Sequence, residues 1–407
     1  LKNTNQRFNL NNSIQSDRGF SLLSYSEALL SAQVHYKCWK MIFSEKKIDF
    51  MLHEPCSLFF NHIGAVMCKN QGGMFIWQSQ VISDKGKYCY LNLNEDNYAC
   101  FEIEKNYRYY LMNPDKINIT RCKSFIDNFR KDFSVFLGEL YSKKNVNVFE
   151  CRLRVLKNKI KSFTKKQNNF DKLKDNIDYW LQSMNYWEVK LNNLKDYKRD
   201  KITFEDMPKG EKYFYYSLHT EPEAVVLYLG DGLYTNQIKL IENIASSLPP
   251  GYYLYVKDHP RKIAFRASSD YKRLIQIPNV RLLKQSIPGK EIIKDAKGVF
   301  TINGTAGFEA LLLGKQVYCF GWNYYCYCNK VNYIHNIRDL KKKIYDNVDV
   351  EQEDGKSFYA YINAYLDATY IGYINYFSNY ANIYCQEPEE NARLIAQDFT
   401  NYTSKFS

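Results

Sequence analysis

The stretch from residue 213 to residue 321 constrains the fold most, because apolar runs of strand length alternate there with segments of helical spacing. The strands are predicted at 213–219, 252–258, 280–283, 298–302 and 316–321. Segments 234–247, 291–296 and 308–313 between them have helical spacing, and the first and last end near Pro or Gly. Strands that alternate with helices at this spacing form βαβ units and a parallel sheet.

Polar residues collect where these predicted strands end. His219 follows the first strand, a Gly-Asp-Gly sequence at 230–232 lies in the next loop, and His259 follows the second strand. A turn rich in glycine, 304–309, follows the fourth strand. Parallel doubly wound sheets bind ligands beyond the carboxyl ends of their strands. The sequence therefore predicts a ligand site at this edge of the sheet.

The length of 407 residues is too great for one ordinary core and favours two α/β lobes with helical additions. A first lobe is predicted at 1–205, with a helical segment at about 120–201, and a second lobe at 206–340. Residues 341–407 are predicted to form helices that pack back on the first lobe, including one at 357–384. Acceptor binding is assigned to the first lobe and donor binding to the second.

The formal charge of +12 needs an explanation. Residues 143–201 contribute sixteen Lys and Arg against seven Asp and Glu. A solvated helical face is the simplest interpretation, and a surface for anionic lipid headgroups or a phosphorylated acceptor is the functional one. Binding to nucleic acid would require a similar positive charge, but no recognised nucleic-acid motif accompanies it. Nucleic acid is therefore not expected as a partner.

Cysteine usage and hydropathy indicate a reduced, cytoplasmic protein. The 11 cysteines show no framework spacing, and no signal peptide is recognised. Cys326 and Cys328 lack a second pair at metal-ligand spacing, so they are interpreted as chance thiols. No run of about 18 apolar residues is present, which leaves peripheral contact with the inner membrane face as the expected membrane association. A Gly-rich dinucleotide fingerprint is also absent, which argues against NAD or FAD.

Four motifs then occur in a fixed order along the second lobe. They are Leu-His-Thr-Glu-Pro-Glu at 218–223, Gly-Asp-Gly at 230–232 with Tyr234 and Gln237, Val-Lys-Asp-His-Pro at 256–260, and Asn-Gly-Thr-Ala-Gly-Phe-Glu-Ala at 303–310. Together they resemble the bacterial capsule-polysaccharide synthesis and β-Kdo glycosyltransferase family over roughly 213–325. Within that family, the length and the helical middle look most like the Kdo-transferase module of an enzyme that caps O-antigen chains.

This resemblance implies a GT-B-like enzyme built from two Rossmann-like lobes, which uses CMP-β-Kdo and needs no metal or other cofactor. It implies a lipid-linked polysaccharide acceptor, from O-antigen or capsule, and a chain that is fused to or partnered with other glycosyltransferases. It also implies retention of the anomeric configuration through a covalent intermediate on an aspartate. The position that matches this aspartate is Asp231.

The residue types around Asp231 fit that role, although a structural alternative stays open. Double displacement needs a carboxylate close to the anomeric carbon, and flanking glycines allow the ligand and the backbone to approach closely. Asp-Gly is also foremost a turn signal, so Asp231 could instead be an Asx turn that caps the following helix. The residues assigned to its vicinity are His219, Glu221, Glu223, Gly230, Gly232, Tyr234 and Gln237.

The nucleotide site is assigned to the second and fourth strand ends. His259 and Lys257 can balance the charge that grows on a departing CMP, and Pro260 fixes the backbone after His259. Free N–H groups at the turn that opens a helix form an anion site, and an acidic residue one turn later can accept from ribose hydroxyls. These residues are Asn303, Gly304, Thr305, Ala306, Gly307 and Glu309. As alternatives, His259 could donate to a neighbouring carbonyl, Lys257 could face solvent, and Glu309 could interact with the helix dipole.

Two other functions stay open at this stage. An inverting CMP-sugar transferase of the sialyltransferase type also pairs an acidic-glycine motif with His-Pro, and Asp231 would then be a general base. A basic, non-catalytic protein that binds nucleic acid or a lipid surface is the alternative from another class, and only the charge favours it.

Overall fold

The structure, a computed structural model, describes residues 23–131 and 177–406 apart from short gaps, together with isolated residues before 23 and between 149 and 157. The gaps are 54–55, 57, 84–86, 95–96, 222–225, 227–229, 231–232, 260–265, 351–353 and 375–386. Only the backbone is described at 93–98 and 177–187. Within these ranges the chain forms two α/β lobes, each built around its own sheet.

The first lobe is built from helices and strands in the first third of the chain. They are α1 Tyr25–Glu45, β1 Phe50–His53, α2 Phe59–Asn70, β2 Met74–Val81, β3 Lys87–Asn94, β4 Asn97–Ala99, α3 Phe101–Met112 and α4 Ile119–Lys131. The strands β1 and β2 are parallel and are joined through α2. Residues 82–86 are too few for a parallel crossover, so β3 returns antiparallel to β2.

Capping and burial explain the first helix. Ser24 and Glu27 form a capping box at the start of α1, in which each side chain bonds the other residue's backbone N–H. The helix then buries Trp39 against α2, where its ring lies 4.9 Å from that of Phe60 and its indole N–H donates to the Phe60 carbonyl. This contact fixes α1 on the α2 face of the lobe.

The second lobe contains a six-stranded, wholly parallel sheet. Its elements are α5 Ile177–Arg199, β5 Lys212–Ser217, α6 Gln237–Ser247, β6 Tyr252–Lys257, α7 Ser268–Ile275, β7 Val280–Leu283, α8 Gly289–Asp295, β8 Gly298–Thr301, α9 Thr305–Leu312, β9 Gln316–Cys319 and β10 Val331–Tyr333. The strand order is β7-β6-β5-β8-β9-β10. Counted from β5, this is the 3-2-1-4-5-6 order of doubly wound nucleotide-binding folds.

Helices cover both faces of this sheet, which explains why its strands are continuous apolar runs. Tyr213, Phe214, Tyr215 and Tyr216 of β5 are all buried. The Tyr213 ring stacks on Tyr255 of β6 at 3.9 Å, and its hydroxyl donates to the Ile292 carbonyl at 2.8 Å. The hydroxyl group of Tyr213 is therefore buried with a partner, as a buried polar group requires.

The last part of the chain returns to the first lobe. Its elements are α10 Leu340–Asn347, α11 Lys356–Asp367, β11 Tyr370–Ile371 and α12 Pro388–Thr403. The helix α11 packs on α3, with the rings of Tyr107 and Tyr361 5.8 Å apart. The strand β11 pairs antiparallel with β3, and Tyr402 of α12 stacks on Tyr90 at 4.2 Å. The predicted GT-B-like α/β fold with returning C-terminal helices is confirmed.

Some predicted elements differ from the structure. The helix predicted at 357–384 ends at Asp367, because Tyr370 and Ile371 pair with the edge of β3. Gly372 then has a φ of +153°, which a helix cannot contain. The helices α3 and α7 and the short strands β4, β10 and β11 were not predicted. Their signals are short or lack alternation.

The contacts of two helices also differ from the predicted domain boundaries. Tyr197, near the end of α5, is buried in the core of the second lobe, and its hydroxyl donates to the Arg266 carbonyl. Leu340 and Ile344 of α10 lie in the same core. Both helices therefore pack with the second lobe, although the sequence grouped α5 with the first lobe and α10 with the returning segment. Among the described helices, none is long and apolar enough to span a membrane.

Candidate active site

A cleft lies between the two sheets, at the carboxyl edge of β5 and β8. The chain leaves these neighbouring strands toward opposite sides of the sheet, and such a switch point opens a crevice between the following loops. The cleft has a volume of about 270 Å³. Its second-lobe wall includes Ser217, Leu218, His219, His259, Asn303, Gly304, Thr305, Ala306, Trp322, Asn323 and Tyr324. The structure thus brings His219, His259 and the 303–306 turn together, as the sequence predicted.

His219 is held between the two strand ends that form the switch point. The Ile302 backbone N–H donates to His219 Nε2 at 3.3 Å, and Thr301 Oγ1 lies 3.3 Å from the same atom. Burial, reinforced by the nearby His259 and Arg266, lowers the pKa of His219 to about 3. Because Nε2 accepts from an amide, the proton of the neutral ring is assigned to Nδ1.

The turn after β8 fits closely around this histidine. The Gly304 N–H donates to Thr301 Oγ1 at 2.9 Å, and α9 begins at the next residue. A Cβ on Gly304 would lie 2.8 Å from His219 Cε1 and 2.9 Å from Thr301 Oγ1, so only glycine fits here. The first turn of a helix leaves backbone N–H groups without intrahelical partners. The N-terminus of α9 therefore presents N–H groups to the cleft.

Side chains from the following loop hold the same turn from the other side. Asn303 Nδ2 donates to the Trp322 carbonyl at 2.6 Å, and Asn323 Nδ2 donates to the Asn303 carbonyl at 3.2 Å. The Tyr325 hydroxyl donates to the Gly304 carbonyl at 2.8 Å. The same hydroxyl would lie 2.8 Å from a Cβ on Gly307, which explains the second glycine of the turn. These bonds were not predicted from the sequence.

The loops after β5 and β6 are joined by a buried ionic network. Arg266 Nε donates to Asp258 Oδ2 at 2.9 Å, and its Nη1 donates to Glu221 Oε2 at 2.7 Å. Tyr271 donates to the same Asp258 oxygen at 2.5 Å. Burial opposes the charge of Arg266, but Asp258 and Glu221 outweigh it and raise the pKa of the guanidinium. The sequence predicted Glu221 near the donor site, and in the structure its carboxylate accepts from Arg266 in this network.

Gln237, also predicted near the site, fixes the backbone of His219. Its Oε1 accepts from the His219 N–H at 2.9 Å, and its Nε2 donates to the His219 carbonyl at 3.1 Å. The same Nε2 donates to Glu221 Oε1 at 2.6 Å. Gln237 is buried, and its hydrogen bonds hold the loop after β5 in position.

Lys257 differs from its predicted role. It is buried, and its Nζ donates to the Ile287 carbonyl at 2.8 Å, in the loop between β7 and α8. It is not part of the cleft wall. Residues two apart in a strand lie on the same face, so the spacing predicts that Lys257 and His259 lie side by side. The strand β6 ends at Lys257, however, and its alternation does not extend to His259. His259 does line the cleft.

Several predicted residues lie elsewhere or outside the described part of the chain. Glu309 is half-buried on α9 and is not part of the cleft wall. The carbonyl of the buried Gly230 accepts from the Leu233 N–H at 3.1 Å, and the Tyr234 ring packs 5.2 Å from Phe320. The predicted positions outside the described residues are Glu223, Asp231, Gly232 and Pro260.

The first lobe supplies the facing wall of the cleft, which the sequence did not identify. It consists of Trp77, Ser79 and Gln80 from β2 and Leu91 from β3. Gln80 is fixed by the returning C-terminal segment, because its Nε2 donates to the Gly372 carbonyl at 3.3 Å and its Oε1 accepts from the Ile374 N–H at 3.1 Å. Strand alternation predicted β2, but it could not show which face meets the second lobe.

The described cysteines are free thiols. Cys326 and Cys328 are both buried, and neither forms a disulfide. Among the residues that the structure describes, no group of three or more His, Cys, Asp or Glu side chains is arranged to hold a metal ion.

The fold and the cleft together define a two-lobed α/β protein with its ligand site at the topological switch point. Residues 143–376, more than half of the chain, match the family described as "Capsule polysaccharide biosynthesis protein". The chain belongs to this family, and the resemblance to a capsule-polysaccharide synthesis family is thereby confirmed.

Individual proteins are more distantly similar. Protein FixF of Sinorhizobium fredii (strain NBRC 101917 / NGR234) is 38% identical over 105 residues, which are 26% of this chain and 22% of that protein. The chain thus spans about a fifth of that relative. Thermosulfurimonas dismutans KpsC, a β-Kdo 2,7 transferase, covers 91% of this chain and 92% of its own at 11% identity and a TM-score of 0.37. The KpsC β-Kdo 2,4 transferase covers 79% and 80%, at 11% identity and a TM-score of 0.35.

Proposed function

We propose that this protein is a retaining glycosyltransferase that moves Kdo from CMP-β-Kdo to a polysaccharide acceptor of the capsule or O-antigen type. The observation that carries the proposal is the cleft at the switch point, where His219, His259 and the N-terminus of α9 meet inside a capsule polysaccharide biosynthesis fold. The family membership supports the polysaccharide. The ordered motifs at 218–223, 230–232, 256–260 and 303–310 support Kdo as the sugar.

The N-terminus of α9 is the proposed site of the CMP phosphate. Helical N–H groups and the helix dipole favour an anion there without a metal ion. His259 would donate to the phosphate as negative charge develops on it. The buried His219 stays neutral at pH 7 and serves to hold the Gly304 turn in place. We therefore predict that transfer continues in excess EDTA.

Asp231 is the proposed nucleophile, although it lies outside the described residues. Its carboxylate would attack the anomeric carbon and displace CMP. The product of this step is a glycosyl ester of Asp231 with inverted anomeric configuration. The acceptor hydroxyl would then attack the anomeric carbon, release its proton to solvent and displace the Asp231 carboxylate, which inverts the centre again. Gly230, one residue earlier, is buried, which supports a fixed start for this loop.

The acceptor and the membrane contact follow from the same proposal. We propose a lipid-linked glycan, collected at the inner face of the cytoplasmic membrane by the basic segment 143–201, about half of which lies outside the described residues. The similarity in length and helical content to an O-antigen-capping module supports a capping reaction. Partner glycosyltransferases, on the same chain or on separate chains, would supply the acceptor.

Intact-protein mass spectrometry after incubation with CMP-Kdo in EDTA tests the proposal. A Kdo-sized mass gain on the protein and release of CMP are expected. Release of product with inverted linkage and no mass gain would instead indicate the inverting mechanism, with Asp231 as general base. A protein that neither releases CMP from CMP-Kdo nor binds CMP would contradict the proposal as a whole.

A further inference from the structure

A second groove adjoins the cleft on the far side of Trp322. One wall is α3 of the first lobe, which contributes Glu104 and Arg108, and the other is the second-lobe segment from Trp322 to His335. Its volume is about 520 Å³, within the range of sites that hold extended small ligands. Trp322 lines both the cleft and this groove, so the groove continues directly from the proposed donor site.

The aromatic wall of this groove is rigid before any ligand binds. The Trp322 ring lies 5.3 Å from Tyr327 and 5.2 Å from Tyr333, nearly perpendicular to both. The Trp322 carbonyl is bonded by Asn303 of the donor-site turn. Rigid aromatic rings offer contact area at little loss of side-chain entropy, because few torsions have to be fixed. The donor-site turn and the aromatic wall are thus parts of one assembly.

The opposite wall is charged. Arg108 donates to Glu104 at 2.6 Å in an i,i+4 pair, and the Arg108 side chain is 73% exposed. Exposed ion pairs of this kind contribute little to stability, so both groups can turn to a ligand at small cost. A guanidinium binds a carboxylate through two parallel hydrogen bonds, and a carboxylate accepts from neighbouring hydroxyl groups.

Aromatic faces combined with a guanidinium and a carboxylate match an acidic sugar. The C–H face of a pyranose ring is apolar and packs on an aromatic ring, while its hydroxyl and carboxylate groups need polar partners. The net charge of +12 also favours an anionic ligand over a cationic one. A purely apolar ligand would form no hydrogen bond or ion pair with Glu104 or Arg108.

We infer that this groove binds the acceptor glycan, as an acidic oligosaccharide whose end reaches past Trp322 into the cleft. The inference rests on the proposed function and adds the place and the chemistry of acceptor recognition. Arg108 binds a sugar carboxylate, Glu104 accepts from ring hydroxyls, and Trp322 separates the acceptor residue that reacts from those that only anchor the chain.

Binding to fluorescein-tagged oligosaccharides tests the inference with the full chain. The probes are a Kdo-terminated hexasaccharide, a sialic-acid-terminated hexasaccharide, a neutral glucan hexasaccharide and a hexaglutamate peptide. Fluorescence anisotropy should show that at least one acidic glycan binds more tightly than the glucan and the peptide. Arg108→Gln should weaken that binding about tenfold, since it removes a charge-assisted contact. Glu104→Gln should weaken it to a smaller extent.

Lys105→Gln is the matched control, because Lys105 lies exposed on the same helix and does not line the groove. CMP affinity, measured by calorimetry on the same preparations, separates the two proposals. The inference would be overturned if Arg108→Gln bound the glycan as tightly as the wild type, or if Lys105→Gln lost as much affinity as Arg108→Gln. It would also be overturned if the peptide bound as tightly as the acidic glycans, or if no glycan bound at all. If CMP binds in any of these cases, the donor-site proposal stands; if glycans behave as expected but CMP does not bind, only the donor-site proposal fails.

Discussion

At the scale of single residues, His219 is the histidine whose protonation the fold opposes most strongly in the described part of the chain. Its pKa in the folded protein is about 3, against 6.5 for an ordinary histidine, because burial excludes water from the ring. The unfolded chain therefore binds one more proton than the folded chain between pH 6.5 and pH 3. Stability from this residue is complete above pH 6.5 and falls as the pH falls through that window.

Replacement of His219 by glutamine should therefore flatten the pH dependence of stability. We expect the free energy of unfolding of the wild type to decrease between pH 7 and pH 5 by about 2 kcal/mol through this residue alone. Urea denaturation at both pH values measures the difference between wild type and variant. His335→Gln is the control, since His335 is exposed. Parallel decreases in the wild type and in His219→Gln would contradict this account.

Asp231 is the residue on which the two-step mechanism depends. Asp231→Asn removes the nucleophile but leaves the proposed phosphate contacts at α9 intact, so we expect CMP affinity within about twofold of wild type and no measurable transfer. Asp231→Cys should trap a Kdo adduct, because a thioglycoside is released slowly. Calorimetry, a CMP-release assay and peptide mass spectrometry at position 231 are the measurements. Near-normal turnover of Asp231→Asn would rule the mechanism out.

Sequence reasoning reached part of the site at this scale. His219, His259 and the 303–306 turn could be predicted because they follow strands, and parallel strands end at one edge. Arg266 could not, since it lies beyond the 256–260 motif and only tertiary contacts bring it to Asp258 and Glu221. Lys257 was misplaced because its ammonium finds a backbone carbonyl inside the lobe, a contact that no local pattern shows.

At the scale of elements, the best-predicted features are strands with a continuous or alternating pattern, whether they are long, as β2 is, or short, as β7 is. The strands β2 and β7 have the predicted bounds, and β5 and β6 differ from the predictions by only one or two residues. These are the strands whose pattern extends over their whole length. The pair β3–β11 was missed because β11 has two residues and exists only through pairing with a distant strand. Pairing of this kind leaves no periodic signal in the sequence.

The turn that opens α9 gives a prediction at this scale. Gly304 and Gly355 both precede the first residue of a helix in extended backbone conformation, but a Cβ would clash only at Gly304. Gly304→Ala should shift His219 or Thr301, lower stability by about 1–3 kcal/mol and weaken CMP binding at least tenfold. Chemical denaturation and calorimetry measure the two effects. Gly355→Ala, where nothing lies within 4 Å of the added Cβ, should change neither. Equal effects of both substitutions would contradict the close fit around His219.

At the scale of the whole molecule, the returning C-terminal segment joins the two lobes. Arg130 of α4 donates to the Leu312 carbonyl at the end of α9 and pairs with Asp354 at 2.9 Å. The helix whose N-terminus faces the cleft is thus held at its other end by the first lobe. Gln80, from the first-lobe wall of the cleft, is held by residues 372–374. The two walls of the cleft therefore depend on contacts between segments that are far apart in the chain.

The last helix is accordingly part of the first lobe rather than an addition to it. Tyr402 is fully buried, stacks on Tyr90 at 4.2 Å and donates its hydroxyl proton to Asn92 Oδ1 at 2.5 Å. Tyr402→Phe keeps the stacking but leaves a buried acceptor without this donor, and should lower the free energy of unfolding by about 1–3 kcal/mol. Tyr402→Ala also removes the ring and should lower it by about 3–5 kcal/mol. Urea denaturation measures both values, and Tyr345→Phe, at a partly exposed ring on α10, should change stability by less than about 0.5 kcal/mol. A Tyr402→Ala protein as stable as the Tyr345→Phe control would mean that α12 does not support the first lobe.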